Sequence, residues 1–149
     1  MFGSPRRGPP HKIRNKAALV GNERIVLNRS RIIIADDHTL LAELCRSLLE
    51  PEFNVVLVVG DGRALIAAVA DLKPDLVVVD IGMPVMNGLD AAEEIKLSMP
   101  AVKIVFLTMD NDPDLAAEGL RRGGSAFLHK TCAADELVIA VRHALRVNA

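Results

Sequence analysis

The chain has 149 residues, half of them hydrophobic, with a formal net charge of −1. This length fits one globular domain and is too short for two of ordinary size. No apolar run approaches the ~18 residues of a membrane helix, and the opening residues MFGSPRRGPPHK lack the apolar segment of a secretory signal. We therefore expect a cytoplasmic protein with no membrane partner. The two cysteines, Cys45 and Cys132, have no metal-ligand spacing and are expected to be reduced structural thiols.

Charge is distributed unevenly along the chain. Residues 1–31 carry eight basic side chains and one acidic one, whereas the remainder carries 10 basic and 18 acidic ones, so the net charges are +7 and −8. The segment 1–29 is rich in Pro, Gly, Arg and Asn with little periodicity, which predicts a disordered basic N-terminal tail. Such a tail can bind nucleic acid through its charge, although most tails of this kind are simply solvated. The globular domain is expected at 30–149.

A regular alternation begins at residue 31. Apolar, β-branched runs predict five strands, which are RIIIA, NVVLVV, DLVVVD, VKIVFLT and SAFLHK. Helical periodicity separates and follows them, at 38–50, 62–72, 87–98, 112–122 and 133–146. Continuously apolar strands alternating with helices indicate a parallel sheet covered on both faces. The sequence therefore predicts a doubly wound α/β domain with five strands and five helices.

Polar residues follow four of the five predicted strands. Asp36 and Asp37 follow the first strand, Asp80 ends the third, Thr108 ends the fourth and Lys130 ends the fifth. In open parallel sheets, ligands bind in the crevice at the carboxyl ends of the strands, beside the point where strand order reverses. If the strand order is 2-1-3-4-5, the first and third strands are neighbours and their three carboxylates converge.

Three converging carboxylates repel one another unless a cation neutralises them. Oxygen ligands with room for water suit Mg²⁺, which proteins commonly hold with one or two carboxylates and a phosphate. Lys130 and Thr108 would add a second positive charge and a hydroxyl donor for an anion bound to that metal. The crevice is therefore expected to take a phosphoryl group.

Four motifs together resemble a known family. ADDH, VVVDIGMPVMNGLDAAEEI, FLT and AFLHK, in this order, resemble the receiver domain of two-component response regulators over residues 31 to about 147. The Asp-Asp-His start, GLDAAEEIK and the Lys-Thr pair after the fifth strand are most similar to receivers of LuxR/NarL-type transcription regulators. The resemblance implies a flavodoxin-like fold with strand order 2-1-3-4-5, and it implies a phosphoacceptor in signal transduction, not an enzyme with a substrate of its own.

The resemblance also implies a role for each site residue. Asp80 would accept a phosphoryl group from a sensor histidine kinase or a phosphotransfer protein. Asp37, Asp80 and the carbonyl of Gly82 would hold Mg²⁺ directly, with Asp36 acting through water or positioning the metal. Lys130 would pair with the phosphoryl oxygens, and Thr108 would swing inward to bond one of them.

Switching is implied by the same family. As Thr108 moves, Phe127 would turn into the space behind it and repack the face formed by the fourth helix, fifth strand and fifth helix. That face would be the surface for a partner or a homodimer. Met109, beside Thr108, is bulkier than the residue the family often places there and could narrow access to the acyl phosphate.

Simpler interpretations exist for each residue taken alone. Asp36 or Asp37 could cap the following helix, Thr108 and Phe127 could be ordinary strand residues, and Lys130 could be a solvated lysine. The functional interpretation is favoured because these residues are all expected at or near the same edge of the sheet. Two histidines are given no ligand role. His38 is expected to support local hydrogen bonds, and His129 is expected to face away from Lys130.

Several outputs are compatible with this sequence. The predicted last helix ends close to Ala149, so we expect either a fragment of a transcription regulator or a stand-alone receiver acting by protein binding or as a phosphorelay intermediate. DNA would be a partner only through an output domain outside this sequence or through the basic tail. A phosphatase with an aspartyl intermediate is disfavoured, since Gly82 stands where such enzymes carry a second aspartate.

Overall fold

A computed structural model describes residues 17–20, 23–26 and 29–146 of the chain. Two short strands, β1 (Ala17–Val20) and β2 (Glu23–Val26), pair antiparallel. They lie inside the segment for which the composition predicts disorder, and the sequence contains no pattern from which this ladder was predicted. Most of the remaining predicted tail lies outside the described residues.

The domain is a five-stranded parallel sheet with helices on both faces. Its strands are β3 (Arg31–Ala35), β4 (Asn54–Val59), β5 (Leu76–Asp80), β6 (Lys103–Thr108) and β7 (Ala126–His129). Its helices are α1 (Thr39–Leu49), α2 (Gly62–Leu72), α3 (Gly88–Ser98), α4 (Pro113–Arg121) and α5 (Ala133–Arg146). A short 3-10 turn, Lys130–Cys132, joins β7 to α5. No helix among the described residues is both long and apolar enough to cross a membrane.

The strand order is β4-β3-β5-β6-β7. Counting only these five strands along the chain, this is the predicted order 2-1-3-4-5 of a flavodoxin-like fold, and each predicted helix is present within about one residue at either end. The order places β3 beside β5, with Ala35 opposite Val79. The residues that follow Ala35 and Val79 are Asp36 and Asp80, so the topology itself brings the two carboxylates together.

Alternation along each strand fills two separate cores. Ile33, Val77 and Phe106 point to the face covered by α2, α3 and α4, where they pack with residues such as Leu65 and Ile95. Their strand neighbours point to the other face, covered by α1 and α5; this second core includes Ile32, Ile34, Val78, Leu107, Cys45, Leu137 and Val141. Both sides of the strands are therefore buried, which explains why they are continuously apolar.

Short polar residues start three of the helices where the chain leaves the sheet. Asp61, Asn87 and Asp112 each accept a hydrogen bond from a backbone N–H in the first turn of α2, α3 and α4, at 2.8–2.9 Å. These caps satisfy amides that have no partner inside the helix, and each stabilises it by about 1 kcal/mol.

Candidate functional site

The four predicted residues at the strand ends converge at one edge of the sheet. Among the described residues, the polar or charged residues that are buried are Asp36, Asp80, Thr108 and Lys130, each 3–5 % exposed as a whole residue, and all four lie at this edge. Buried charges are stable only when they are paired or bind a ligand. The concentration of every such group at one place therefore marks a functional site.

Lys130 lies at the centre of the cluster. Its Nζ is 3.1 Å from Asp80 Oδ2, 3.2 Å from Asp36 Oδ2 and 3.0 Å from His38 Nδ1. Neither Oδ2 atom accepts a hydrogen bond of good geometry, although both are buried. We therefore interpret the contacts to Lys130 as charge pairing that leaves carboxylate lone pairs available to a further cation.

Asp37 and His38 complete the acidic side of the site. Ligand atoms of Asp36, Asp37, His38 and Asp80 all lie within 4.8 Å of one another. The side chain of Asp37 is 38 % exposed and His38 is 63 % exposed, in contrast to the buried Asp36 and Asp80. Two buried carboxylates with unused oxygens and a third at the rim fit a hard cation with oxygen ligands and bound water, as Mg²⁺ requires.

His38 is bound more closely into the site than its sequence position indicated. Its backbone N–H donates to Asp36 Oδ1 at 2.8 Å, which is the local bond that was expected. Its Nδ1 also lies 3.0 Å from Lys130 Nζ, 92 residues away, and 3.2 Å from Asp36 Oδ1. His38 therefore helps to hold the ammonium between the two carboxylates, a role that no short-range sequence pattern indicates.

The loop between β5 and α3 wraps tightly around Asp80. The N–H of Gly82 donates to Asp80 Oδ1 at 3.1 Å and orients the carboxylate. Gly88 allows the loop to close, because a Cβ there would lie 2.5 Å from the carbonyl oxygen of Asp80. Val85 has φ +69°, and Met86 N–H donates to the Pro84 carbonyl at 2.7 Å, which makes a γ-turn. This conformation is strained for a β-branched residue, and Val85 is 78 % exposed.

The opposite wall of the site is the turn after β6. Thr108 Oγ1 accepts from the N–H of Asp110 at 3.0 Å. The carbonyl of Met109 accepts from His129 Nε2 at 3.1 Å. Met109 is 62 % exposed at the rim. His129 received no role from the sequence, and its bond to Met109 spans 20 residues, so local patterns contain no signal for it.

Phe127 lies behind this turn on β7. Its ring packs against Phe106 with 5.9 Å between centroids. Gly119 of α4 makes room for it, since a Cβ there would lie 2.8 Å from the Phe127 ring. Phe127 is half-buried, between the inner core and the surface.

An open cleft of about 510 Å³ lies at this edge of the sheet. Its lining includes His38, Asp80, Gly82, Thr108, Met109 and Lys130. A phosphoryl group placed there would meet the Lys130 ammonium and the Thr108 hydroxyl, which are donors of the kind that stabilise transferred phosphoryl groups.

Cys45 lies beneath the site and takes no part in it. Burial, reinforced by the nearby charge of Asp36, raises the pKa of the Cys45 thiol to about 11. The thiol is therefore protonated at neutral pH and chemically inert. This agrees with the expectation of a structural cysteine.

The fold and the site define a doubly wound α/β domain with an acidic, lysine-containing cleft at the carboxyl edge of its sheet, and comparison with known proteins identifies the family. Residues 32–142 match the response regulator receiver domain, so the chain belongs to this family. It is 36 % identical over 123 residues to the transcriptional regulatory protein DegU of Brevibacillus brevis, covering 81 % of this chain and 52 % of that protein. It is 39 % identical over 113 residues to LnrK of Bacillus subtilis, covering 74 % of this chain and 51 % of that protein.

Solved structures agree with this assignment. The receiver domain of the response regulator NarL from Mycobacterium tuberculosis superposes with a TM-score of 0.76 at 25 % identity, covering 80 % of this chain and 98 % of that one. A LuxR-family response regulator from Aurantimonas sp. gives 0.75 at 29 % identity, covering 79 % and 86 %. The chain spans about half the length of the two regulators DegU and LnrK. It is thus a receiver domain of a two-component response regulator, with LuxR/NarL-type neighbours.

Proposed function

We propose that this receiver accepts a phosphoryl group on Asp80 from a phosphohistidine of a sensor kinase or phosphotransfer protein. The bond between phosphorus and the imidazole nitrogen breaks as a bond forms between phosphorus and a carboxylate oxygen of Asp80. The observation that carries the proposal is the buried Asp80 carboxylate, oriented by the Gly82 amide and 3.1 Å from the Lys130 ammonium, at the wall of the cleft.

Magnesium fits the acidic side of this cleft. We assign Asp37, Asp80 and the Gly82 carbonyl as direct ligands, with Asp36 holding the metal through water. When bound, the metal would neutralise charge on the phosphoryl oxygens during transfer. Support comes from the unbonded lone pairs of Asp36 and Asp80 and from the partial exposure of Asp37.

Residues of this chain supply the remaining stabilisation. Lys130 already lies between the two carboxylates, and a phosphoryl group on Asp80 would lie within reach of its ammonium. Thr108 already uses its oxygen as an acceptor from Asp110, so its hydroxyl proton is free to donate to a phosphoryl oxygen.

Switching would pass from Thr108 to the face formed by α4, β7 and α5. Phe127 lies half-buried under α4, against Phe106, and can repack when Thr108 shifts. Leu120 on α4 and Ile139 on α5 are large apolar residues that are 49 % and 62 % exposed. We propose this face as the surface for a partner or a homodimer.

Transcription regulation is the output we favour. DegU and LnrK carry the description of transcriptional regulatory proteins, and the chain spans about half of each. A cytoplasmic stand-alone receiver that acts by protein binding, or as a phosphorelay intermediate, is the alternative. A third output is DNA association through the basic N-terminal segment, which the charge of +7 over residues 1–31 favours. DNA binding that persists after removal of residues 1–29 would exclude this third output.

The proposed phosphorylation is tested by intact mass spectrometry. The protein is incubated with Mg²⁺ and a small acyl-phosphate donor, beside Asp80→Asn and a matched control at an exposed carboxylate, Asp114→Asn. We expect one added phosphoryl group in the wild type and the control, and none in Asp80→Asn or without Mg²⁺. Equal labelling of Asp80→Asn would overturn the assignment of the acceptor.

A further inference from the structure

His129 makes three hydrogen bonds, one of them between its Nδ1 and the Thr131 hydroxyl at 2.7 Å, and two others fix its tautomer. The backbone N–H of Thr131 donates to Nδ1 at 3.2 Å. Since a backbone N–H can only donate, Nδ1 carries a lone pair and the ring proton is on Nε2. The Met109 carbonyl, 3.1 Å from Nε2, can only accept. The ring therefore connects the 3-10 turn that contains Lys130 to the turn that follows Thr108.

The position of His129 in the sheet gives this connector its importance. Thr108 and His129 are direct partners in the parallel ladder between β6 and β7. Met109 is the first residue beyond that ladder, so the side-chain bond to its carbonyl extends the pairing by one step past the end of β6. The next residue, Asp110, donates its N–H to Thr108 Oγ1. Holding the Met109 peptide therefore holds the turn that orients the Thr108 hydroxyl.

We propose that His129 is a positioning residue for Thr108. Its bond to Met109 keeps the turn 108–110 in register with β7, so that the Thr108 hydroxyl lies at the cleft wall ready to donate to a phosphoryl oxygen on Asp80. This inference rests on the proposed phosphorylation of Asp80. In this proposal His129 contacts neither the metal nor the phosphoryl group and acts only through the position of Thr108.

A purely structural role for His129 makes different predictions. If the ring served only to start the 3-10 turn, the bond from Thr131 would matter and the bond to Met109 would not. Two substitutions separate these bonds. His129→Asn keeps an oxygen near the Nδ1 position but is too short to reach Met109. His129→Gln places an amide N–H near the Nε2 position and can restore the bond to Met109.

The first readout needs no phosphoryl group. Hydrogen exchange of the Asp110 amide reports how well its bond to Thr108 is held. We expect this amide to exchange at least threefold faster in His129→Asn than in wild type and His129→Gln, with melting temperatures that stay similar. Long-range imidazole NMR should show the proton of His129 on Nε2. Unchanged exchange in His129→Asn, or a proton on Nδ1, would overturn the positioning role.

The second readout is the steady-state fraction of phosphorylated protein at a fixed, low concentration of a small acyl-phosphate donor. We expect about a threefold drop in His129→Asn, the size of one misplaced hydrogen bond, and a value near wild type in His129→Gln. In a Thr108→Ala background the His129→Asn change should have no further effect, because its target is gone. An equal drop in both backgrounds would contradict action through Thr108. Failure of the wild type to be phosphorylated would count against the proposed function alone, since the exchange readout would still test His129.

Discussion

Replacing Lys130 with methionine should destabilise the domain strongly at neutral pH. The ammonium lies 3.1 Å and 3.2 Å from carboxylate oxygens of Asp80 and Asp36, and the three side chains are 3 %, 5 % and 1 % exposed. Methionine fills a similar volume but leaves two buried carboxylates facing each other without a cation. Removing one partner of a buried ion pair costs ~3–5 kcal/mol. We expect about 3 kcal/mol, the lower end of that range, because Asp80 borders an open cleft.

Urea unfolding followed by circular dichroism measures this loss. The free energy of unfolding of such domains is about 5–15 kcal/mol, so the variant should remain folded in water and its urea midpoint should be measurable. The loss is the difference in the free energy of unfolding between Lys130→Met and wild type, measured first without metal. Excess Mg²⁺ should narrow the difference, since it supplies another cation to the same oxygens.

The matched control is Lys103→Met. Lys103 is half-buried at the start of β6, at the opposite edge of the sheet. We expect this variant to lose less than 1 kcal/mol, with no dependence on Mg²⁺. Equal losses in the two variants, or a loss in Lys130→Met that Mg²⁺ does not alter, would refute the electrostatic account of the site.

Three further predictions concern the surroundings of the site. Iodoacetamide at pH 8 should label half-exposed Cys132 well before Cys45, as mass mapping of the labelled peptides would show. The stabilisation contributed by the neutral Cys45 thiol should be present below pH 9 and lost as the pH rises through about 11, which unfolding measured against pH checks. Gly119→Ala should lower the free energy of unfolding in urea by ~1–3 kcal/mol and displace Phe127, because its Cβ would lie 2.8 Å from that ring. A stability equal to that of the wild type would contradict this. Met109→Ala should shorten the lifetime of the phosphorylated protein, measured by intact mass over time, since it opens the rim of the cleft.

The hydrophobic pattern was sufficient to predict most of the fold, and the strand order implied by the family resemblance predicted the convergence of the strand-end residues. Runs such as LVVVD are buried on both faces, and that observation alone requires helices on both sides of the sheet. Once β3 and β5 are neighbours, Asp36 and Asp80 must meet, whatever the details of packing. The prediction succeeded because parallel strands end at one edge.

Contacts made by side chains across long stretches of sequence could not be predicted in this way. The bond from Lys130 to His38 and the bond from His129 to Met109 depend on rotamers and on the twist of the sheet, which periodicity does not encode. The ladder of β1 and β2 was missed for a different reason. Two strands of four residues add little signal against a surrounding composition that is typical of disorder.

The central claim is that Asp80, among the clustered carboxylates, carries the phosphoryl group. Borohydride reduction of the phosphorylated protein converts the modified aspartate to homoserine, and peptide mass spectrometry then identifies the residue. The account predicts that the reduced residue is Asp80, in the peptide containing LVVVD, and that Asp36 and Asp37 remain aspartate. Reduction at Asp36 or Asp37, with Asp80 unchanged, would contradict it.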